Sequence, residues 1–230
     1  MDKKKIIVII TARGGSKRVP KKNIRNFMGQ PLIVWSINAA KKSKLVDRIL
    51  VSSDDEDIIN ISLSNHVEVH KRSKNLSTDY SSTQSLLDHL YFDTDIFKNE
   101  KYIVLLQPTS PLRLKDAIDN GVQKLDEDNL SDGLIEVAGK SFSSGKIINN
   151  IWQPDYPESI RSQDIPLTYF PTGGLYIYRC PNWFEKKSIK KMIVSEIDIS
   201  RVVNIDHEHD FNWASYVFKK YQSDYAHLAN

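Results

Sequence analysis

The chain has 230 residues, a formal net charge of +3, 40% apolar and 27% charged residues, and a single cysteine, Cys180. That length fits one domain, or one domain with a small appendage. The charge balance argues against a general nucleic-acid binder, the lack of an 18-residue apolar run against a membrane span, and the lone cysteine against a disulfide or a cysteine metal cluster.

The apolar run Ile6–Ile10 has the length and composition of a strand buried on both faces, as in a parallel sheet. Basic residues precede it and no small-residue cleavage site follows, so it reads as the first strand of a cytoplasmic protein rather than a signal peptide. The loop after it, TARGGSKRVPKKN, carries Gly14, Gly15 and five cations: Arg13, Lys17, Arg18, Lys21 and Lys22. A loop leaving the carboxyl end of a parallel strand lies where ligands of open α/β folds bind. Glycines bring the backbone close to a ligand, and the cations supply charge, so a polyphosphate is the expected occupant. The spacing is neither that of a P-loop nor that of a dinucleotide-binding fingerprint.

Pro31 starts a helix that runs to about Ser43 with Leu32, Ile33, Trp35, Ile37, Ala39 and Ala40 on its apolar side. Arg48–Ser53 reads as a strand, Asp54–Glu56 as a helix start, and His66–His70 as a third strand. The alternation predicts a parallel sheet covered on both faces. The polar stretch from Lys71 to Thr83 precedes Leu86, Leu87 and Leu90, marking a helix N-terminus that can present free N–H groups. Tyr102–Leu106 is another buried strand. It opens into QPTSPLR, where two prolines set a rigid loop offering Gln107, Thr109, Ser110 and Arg113 to the same sheet edge. A helix over 115–126 and a strand over Gly133–Val137 continue the alternation.

Periodicity fails over 139–174, which is rich in Ser, Asn, Pro and Gly and too long for an idle loop. It reads as an inserted hairpin or arm, with Lys146 and Arg161 as cations that reach toward a substrate. A glycine pair then feeds a strand over Leu175–Tyr178. Near the end, VVNIDHEHDFN reads as a short strand in which Asn204 and Asp206 share a face, because side chains repeat every two residues. Paired oxygen donors suit Mg²⁺, with Mn²⁺ as the alternative. His207 and His209 invite a zinc reading, but Mg²⁺ chemistry with nucleotides accounts for the oxygens. Asp210 is expected to cap a terminal helix over about Phe211–Tyr221.

TARGGSKRVPKKN, QPTSPLR and the Asn-x-Asp ending resemble the acylneuraminate cytidylyltransferases, the CMP-sialic acid or CMP-nonulosonate synthetases. The resemblance spans Ile6 to about Tyr221. It implies a nucleotide-diphospho-sugar transferase fold: an α/β, Rossmann-like, mainly parallel sheet with helices on both faces, 1–230 as a single nucleotidyltransferase domain, and 139–174 as a dimerisation arm. It places Ala12, Arg13, Gly14, Gly15, Ser16, Lys17 and Asn23 in the nucleotide-binding signature. Arg72 falls on a family arginine, and Ser82 and Thr83 on paired serines, in a segment that contacts the cytidine nucleotide. Gln107 would face the sugar, with Thr109 beside it. Gly173 and Tyr176 match the family pattern, and with Thr172 they are expected to bind the sugar acid. Phe170 stands for an arginine, Thr172 for an asparagine, Ser162 for an arginine and Asn204 for the first of two metal-binding aspartates.

The expected reaction is transfer of CMP from CTP to the anomeric hydroxyl of a sialic-acid-like sugar acid, with release of pyrophosphate. Arg13, Lys17 and Lys22 would hold the triphosphate, Asn23 would position the nucleotide, and Mg²⁺ at Asp206 and Asn204 would neutralise charge. No residue stands out as a general base. A 3-deoxy-manno-octulosonate cytidylyltransferase is the near alternative, and a nucleotide-binding homologue without turnover is the more distant one. The resemblance implies a homodimer. Neither nucleic acid nor membrane is expected as a partner.

Overall fold

The computed structural model describes residues 5–186 and 188–229. In chain order its elements are β1 (Ile6–Thr11), the short ribbon β2 (Asn26–Phe27) and β3 (Gln30–Pro31), α1 (Leu32–Lys42), β4 (Arg48–Ser53), α2 (Glu56–Ser64), β5 (Glu68–Lys71), α3 (Thr83–Phe92), β6 (Tyr102–Leu106) and α4 (Ala117–Glu127). They continue with β7 (Gly133–Lys140), the hairpin β8 (Gly145–Ile148) and β9 (Ile151–Pro154), β10 (Thr168–Arg179), α5 (Asn182–Glu185), β11 (Met192–Glu196), α6 (Asp210–Lys220) and α7 (Gln222–Tyr225).

Seven strands form one sheet in the order β11-β7-β10-β6-β1-β4-β5. All of them point the same way except β10, which runs antiparallel to both β6 and β7. Strand β1 is buried on both sides, as its unbroken apolar run requires. Ile6, Val8 and Ile10 pack with α1, α2 and α4, while Ile7 and Ile9 pack with α3 and Phe184 of α5. The chain leaves β1 toward β4 and β5, then returns to add β6 on the other side of β1. The crevice at the carboxyl ends of β1 and β6 is therefore a topological switch point, the place where open α/β sheets bind ligands.

Two local reasons set the nearby helices. Asp55 caps α2, its Oδ1 accepting the Ile58 N–H at 3.0 Å, and Ser82 caps α3, its Oγ accepting the Ser85 N–H at 3.0 Å. A third cluster lies outside α1. There Trp35 is fully buried between Phe27 and Phe218, with both ring centroids at 5.2 Å, and its indole N–H donates to the Phe27 carbonyl at 3.0 Å. This cluster fastens α6 and the Val203–Ile205 segment onto the loop that follows β1. Trp35→Ala should cost about 3–5 kcal/mol of unfolding free energy, as large-to-small changes at buried aromatics do. Denaturant unfolding checks this, and a loss under about 1 kcal/mol would mean that the cluster closes over the gap.

The structure departs from the sequence expectations in three places. The segment expected to leave the sheet over 139–174 does so only between β7 and β10. Thr168–Pro171 pair with Val137–Lys140, so the arm is the β8–β9 hairpin and its flanks. Residues 202–206 form no strand, because no neighbour pairs with them along their length. The alternation holds nonetheless: Val203 and Ile205 are buried while Asn204 and Asp206 face outward. Asp210 opens α6 but its carboxylate reaches backward, accepting the N–H groups of Asp206 at 2.8 Å and His207 at 2.7 Å. Among the described residues no helix is long and apolar enough to cross a membrane.

Candidate active site

A cleft of about 480 Å³ opens at the switch point. Its floor is the end of β1 and its walls are the loop after β1, the 72–83 segment and the loop after β6. The lining includes Thr11, Arg13, Ser16, Lys17, Arg18, Lys22, Asn23, Arg72, Ser82, Thr83, Gln107, Thr109 and Asp206. That volume suits a nucleotide-sized ligand.

The loop after β1 is fixed by polar contacts within itself and to the end of β4. Asn23 is buried and its Nδ2 donates to the Arg13 carbonyl at 2.9 Å, which closes the loop on itself. Ala12 is buried, and its N–H donates to the Ser52 carbonyl at 3.0 Å. Gly14 is required by a close approach: a Cβ there would lie 2.6 Å from Asp55 Oδ2. Its N–H donates to Asp54 Oδ1 at 3.0 Å, so this amide serves the loop's anchoring to the start of α2. Gly15 has open space around it. The Gly14 amide is therefore already engaged within the protein, and around it stand the loop's five cations, Arg13, Lys17, Arg18, Lys21 and Lys22.

Those cations already hold carboxylates. Arg13 donates to the Thr78 carbonyl at 2.9 Å and lies 3.5 Å from Asp79 Oδ1, and Lys17 pairs with Asp79 Oδ2. The hydrogen bond from Lys17 holds the Asp79 carboxyl below its ordinary range, so it is ionised at neutral pH. Lys22, whose side chain is only 11% exposed, donates to the Ile205 carbonyl at 2.7 Å and to Asp206 Oδ1 at 3.1 Å. Arg18 lies 3.7 Å from Asp206 Oδ2. Lys21 turns away and pairs with Asp57 at 2.9 Å. Asp79 was not legible as a site residue from sequence. An acid among Ser and Thr in a polar loop carries no periodic signal, and its partners lie more than sixty residues away.

Asp206 reaches the cleft because the Ile205 N–H donates to the Thr109 carbonyl at 2.7 Å, tying the C-terminal segment to the loop after β6. Asn204 Nδ2 lies 3.2 Å from Asp206 Oδ2. Asn204 is exposed beside the cleft rather than lining it, and with its amide nitrogen turned to Asp206 its carbonyl oxygen is left for another partner. Oxygen atoms of an amide and a carboxylate are the donor type that a hard cation such as Mg²⁺ takes.

Arg72 donates to the Ser52 carbonyl at 2.9 Å and lines the cleft between β4 and α3. Gln107 and Thr109 line the opposite wall, but Ser110 and Arg113 are buried behind it. Arg113 binds the carbonyls of Gly174 and Gln107 and the Ser36 hydroxyl at 2.7, 2.8 and 2.9 Å, so it staples the loop to β10 and α1. Burial lowers the Arg113 guanidinium from its usual range without neutralising it at pH 7. Gly173 adopts φ +78°, and a Cβ there would come within 2.9 Å of Gln107 Oε1. Glycine therefore lets β10 lie against the Gln107 side chain. Thr172 is buried beneath the cleft. Its hydroxyl donates to Glu136 and accepts the Gly174 N–H at 3.1 Å, so its polar group is already used. Burial raises the Glu136 carboxyl, against the pull of Thr172 and Arg113. Tyr176 is partly buried in the sheet, with its ring 6.4 Å from that of Tyr178, and does not line the cleft. Lys146 sits on the exposed hairpin and Arg161 pairs with Asp164 at 2.6 Å, and neither lines the cleft of this single chain.

The family model described as Cytidylyltransferase matches residues 7–173. The chain is 32% identical over 228 residues to the pseudaminic acid cytidylyltransferase of Campylobacter jejuni subsp. jejuni, covering 94% of this chain and 97% of that protein. It is 31% identical over 235 residues to the CMP-N,N'-diacetyllegionaminic acid synthase of Legionella pneumophila subsp. pneumophila, covering 91% of this chain and 94% of that protein. Among solved structures, CMP:2-keto-3-deoxy-manno-octonic acid synthetase complexed with CTP superposes with a TM-score of 0.68 at 15% identity, over 94% of this chain and 99% of that one. At that identity the likeness concerns the fold.

Proposed function

The chain belongs to the cytidylyltransferase family, and on that premise we propose that it transfers CMP from CTP to the anomeric hydroxyl of a nonulosonic sugar acid. The observation that carries this reading is the convergence of Arg13, Lys17, Lys22 and Asp206 on one cleft at the switch point of the sheet. In-line attack at an α-phosphate needs little covalent help from protein. It needs the reactants aligned and the growing negative charge on the phosphates met by fixed positive groups.

Arg13 and Lys17 face the same part of the cleft, since both reach Asp79, and are the cations for the outgoing pyrophosphate. Lys22 stands beside Asp206 and stabilises charge where the α-phosphate would lie. Arg72, Ser82 and Thr83, at the start of α3, would receive the cytidine. Gln107 and Thr109 would orient the sugar acid. Gly173 would act from behind, by leaving room for the Gln107 side chain. Asp206 and Asn204 would hold Mg²⁺, which supplies Lewis-acid neutralisation of phosphate oxygens.

The exposed apolar residues of the arm, Ile147, Ile151 and Trp152, support a homodimer in which the hairpin meets a second copy. In such a pair Lys146 and Arg161 would serve a neighbouring cleft rather than their own.

The test is pyrophosphate release from CTP and Mg²⁺ with pseudaminate, legionaminate, N-acetylneuraminate and 3-deoxy-manno-octulosonate in parallel. Release with one of the first three supports the reading and names the acceptor. Release with the fourth alone replaces the acceptor class. Silence with all four, beside thermal stabilisation by CTP, would make the chain a nucleotide binder without turnover.

Asp79 occupies the cations that the triphosphate needs. CTP must displace it, so Asp79→Asn should tighten CTP binding by about 2- to 5-fold, the modest gain expected from an exposed ion pair. Calorimetric titration of CTP without acceptor measures it. Weaker binding in the variant would mean that Asp79 holds Arg13 in place instead of competing for it.

A further inference from the structure

The four residues after the Asn204–Asp206 pair carry donors that nucleotidyl transfer leaves unused. The His207 and His209 rings stack, with centroids 5.4 Å apart and planes 8° from parallel. Asp210 Oδ2 lies 3.7 Å from His207 Nδ1, and Asp210 Oδ1 lies 3.3 Å from His209 Nε2. One donor atom from each of the three residues lies within 4.8 Å of the others. Both imidazoles are open to solvent, while the carboxylate is anchored by the N–H groups of Asp206 and His207.

We propose that His207, His209 and Asp210 form a binding site for one late first-row divalent cation of the Zn²⁺ class, separate from the hard-cation position at Asn204 and Asp206. Donor chemistry separates the two. Imidazole nitrogen favours Zn²⁺, Ni²⁺ and Cu²⁺, whereas Mg²⁺ takes oxygen and water. Two imidazoles, a carboxylate and a water make the four-coordinate set that Zn²⁺ accepts. Zinc bonds of about 2.0–2.2 Å place neighbouring donors about 3.3 Å apart. The present spread, up to 4.8 Å, closes by small rotations of two exposed rings onto an anchored carboxylate. Glu208 takes no part, because Arg25 holds its carboxylate in a two-pronged ion pair.

The anchor gives the site a consequence. Asp210 Oδ2 accepts the N–H of Asp206, so a cation drawing on this carboxylate acts on the backbone that presents Asp206 to the cleft. Occupancy of the two positions is therefore linked, and linkage works in both directions.

The experiment is calorimetric titration of ZnCl₂ into the full chain, without a polyhistidine tag and in excess Mg²⁺. Wild type should bind one ion per chain. H207A and H209A should each weaken binding by at least about 10-fold, as loss of a group supporting a metal does, whereas Asp206→Ala should retain the ion. Both histidines are exposed, so the variants should melt like wild type. Absence of binding to wild type overturns the proposal. So does full affinity in H207A or H209A, or loss of binding in Asp206→Ala with retention in both histidine variants, which would place the zinc at the nucleotide metal position.

Discussion

Arg13→Ala should lower kcat for pyrophosphate release about 10²- to 10³-fold, the range seen when one fixed donor to a developing oxyanion is removed. It should do so while leaving the fold intact. Its side chain is 39% exposed, and its contacts are a loop carbonyl and one exposed carboxylate. The Arg13 backbone carbonyl, not its guanidinium, is what Asn23 uses to close the loop. The variant therefore keeps the bond that closes the loop and loses the guanidinium together with its contacts to Thr78 and Asp79. Arg13→Lys separates two roles. A point charge remains, but the planar fork that can grip two phosphate oxygens at once does not. An intermediate rate for lysine would assign part of the effect to geometry. A kcat within about twofold of wild type in Arg13→Ala would take Arg13 out of the reaction.

Much of this cleft was legible because its scaffold is written in local patterns. An unbroken aliphatic run cannot sit in a half-exposed strand, so Ile6–Ile10 had to be buried on both faces, and the cationic loop had to emerge at a sheet edge. Paired prolines made the loop after β6 rigid for the same kind of reason. What stayed hidden depends on contacts between distant residues. Thr172 lies in a stretch that the resemblance assigns to the acceptor, yet its hydroxyl is taken by Glu136, 36 residues away in an adjacent strand. Nothing in the sequence around Thr172 announces that partner. A Cβ on Gly174 would overlap the Glu136 carboxylate, at 2.1 Å from Oε1, so the two strands are fitted to each other at that point. The 202–206 segment shows the opposite case. Alternation correctly separated the buried Val203 and Ile205 from Asn204 and Asp206, but alternation reports burial, and a strand also needs a partner.

Asp206→Ala should abolish most Mg²⁺-dependent turnover, by about 10³-fold, because the metal's neutralisation of phosphate charge is worth several kcal/mol in the transition state. It also strips Lys22 of its carboxylate partner. That ammonium is mostly covered and would keep only the Ile205 carbonyl, so some loss of stability accompanies the loss of rate. Rate alone is therefore an incomplete test, and Asn204→Asp supplies the missing control. The Asn204 amide nitrogen lies 3.2 Å from Asp206 Oδ2. A carboxylate at 204 exchanges that attraction for repulsion between like charges. Without metal, Asn204→Asp should melt below wild type. With Mg²⁺ the second carboxylate becomes a charged ligand, so the difference should shrink or reverse and the Mg²⁺ concentration for half-maximal rate should fall. Opposite shifts with and without Mg²⁺ cannot come from general destabilisation, which moves both melts the same way. A melting temperature insensitive to Mg²⁺ in Asn204→Asp would remove residue 204 from the metal site. An unchanged Mg²⁺ titration of turnover in Asp206→Ala would remove residue 206 as well.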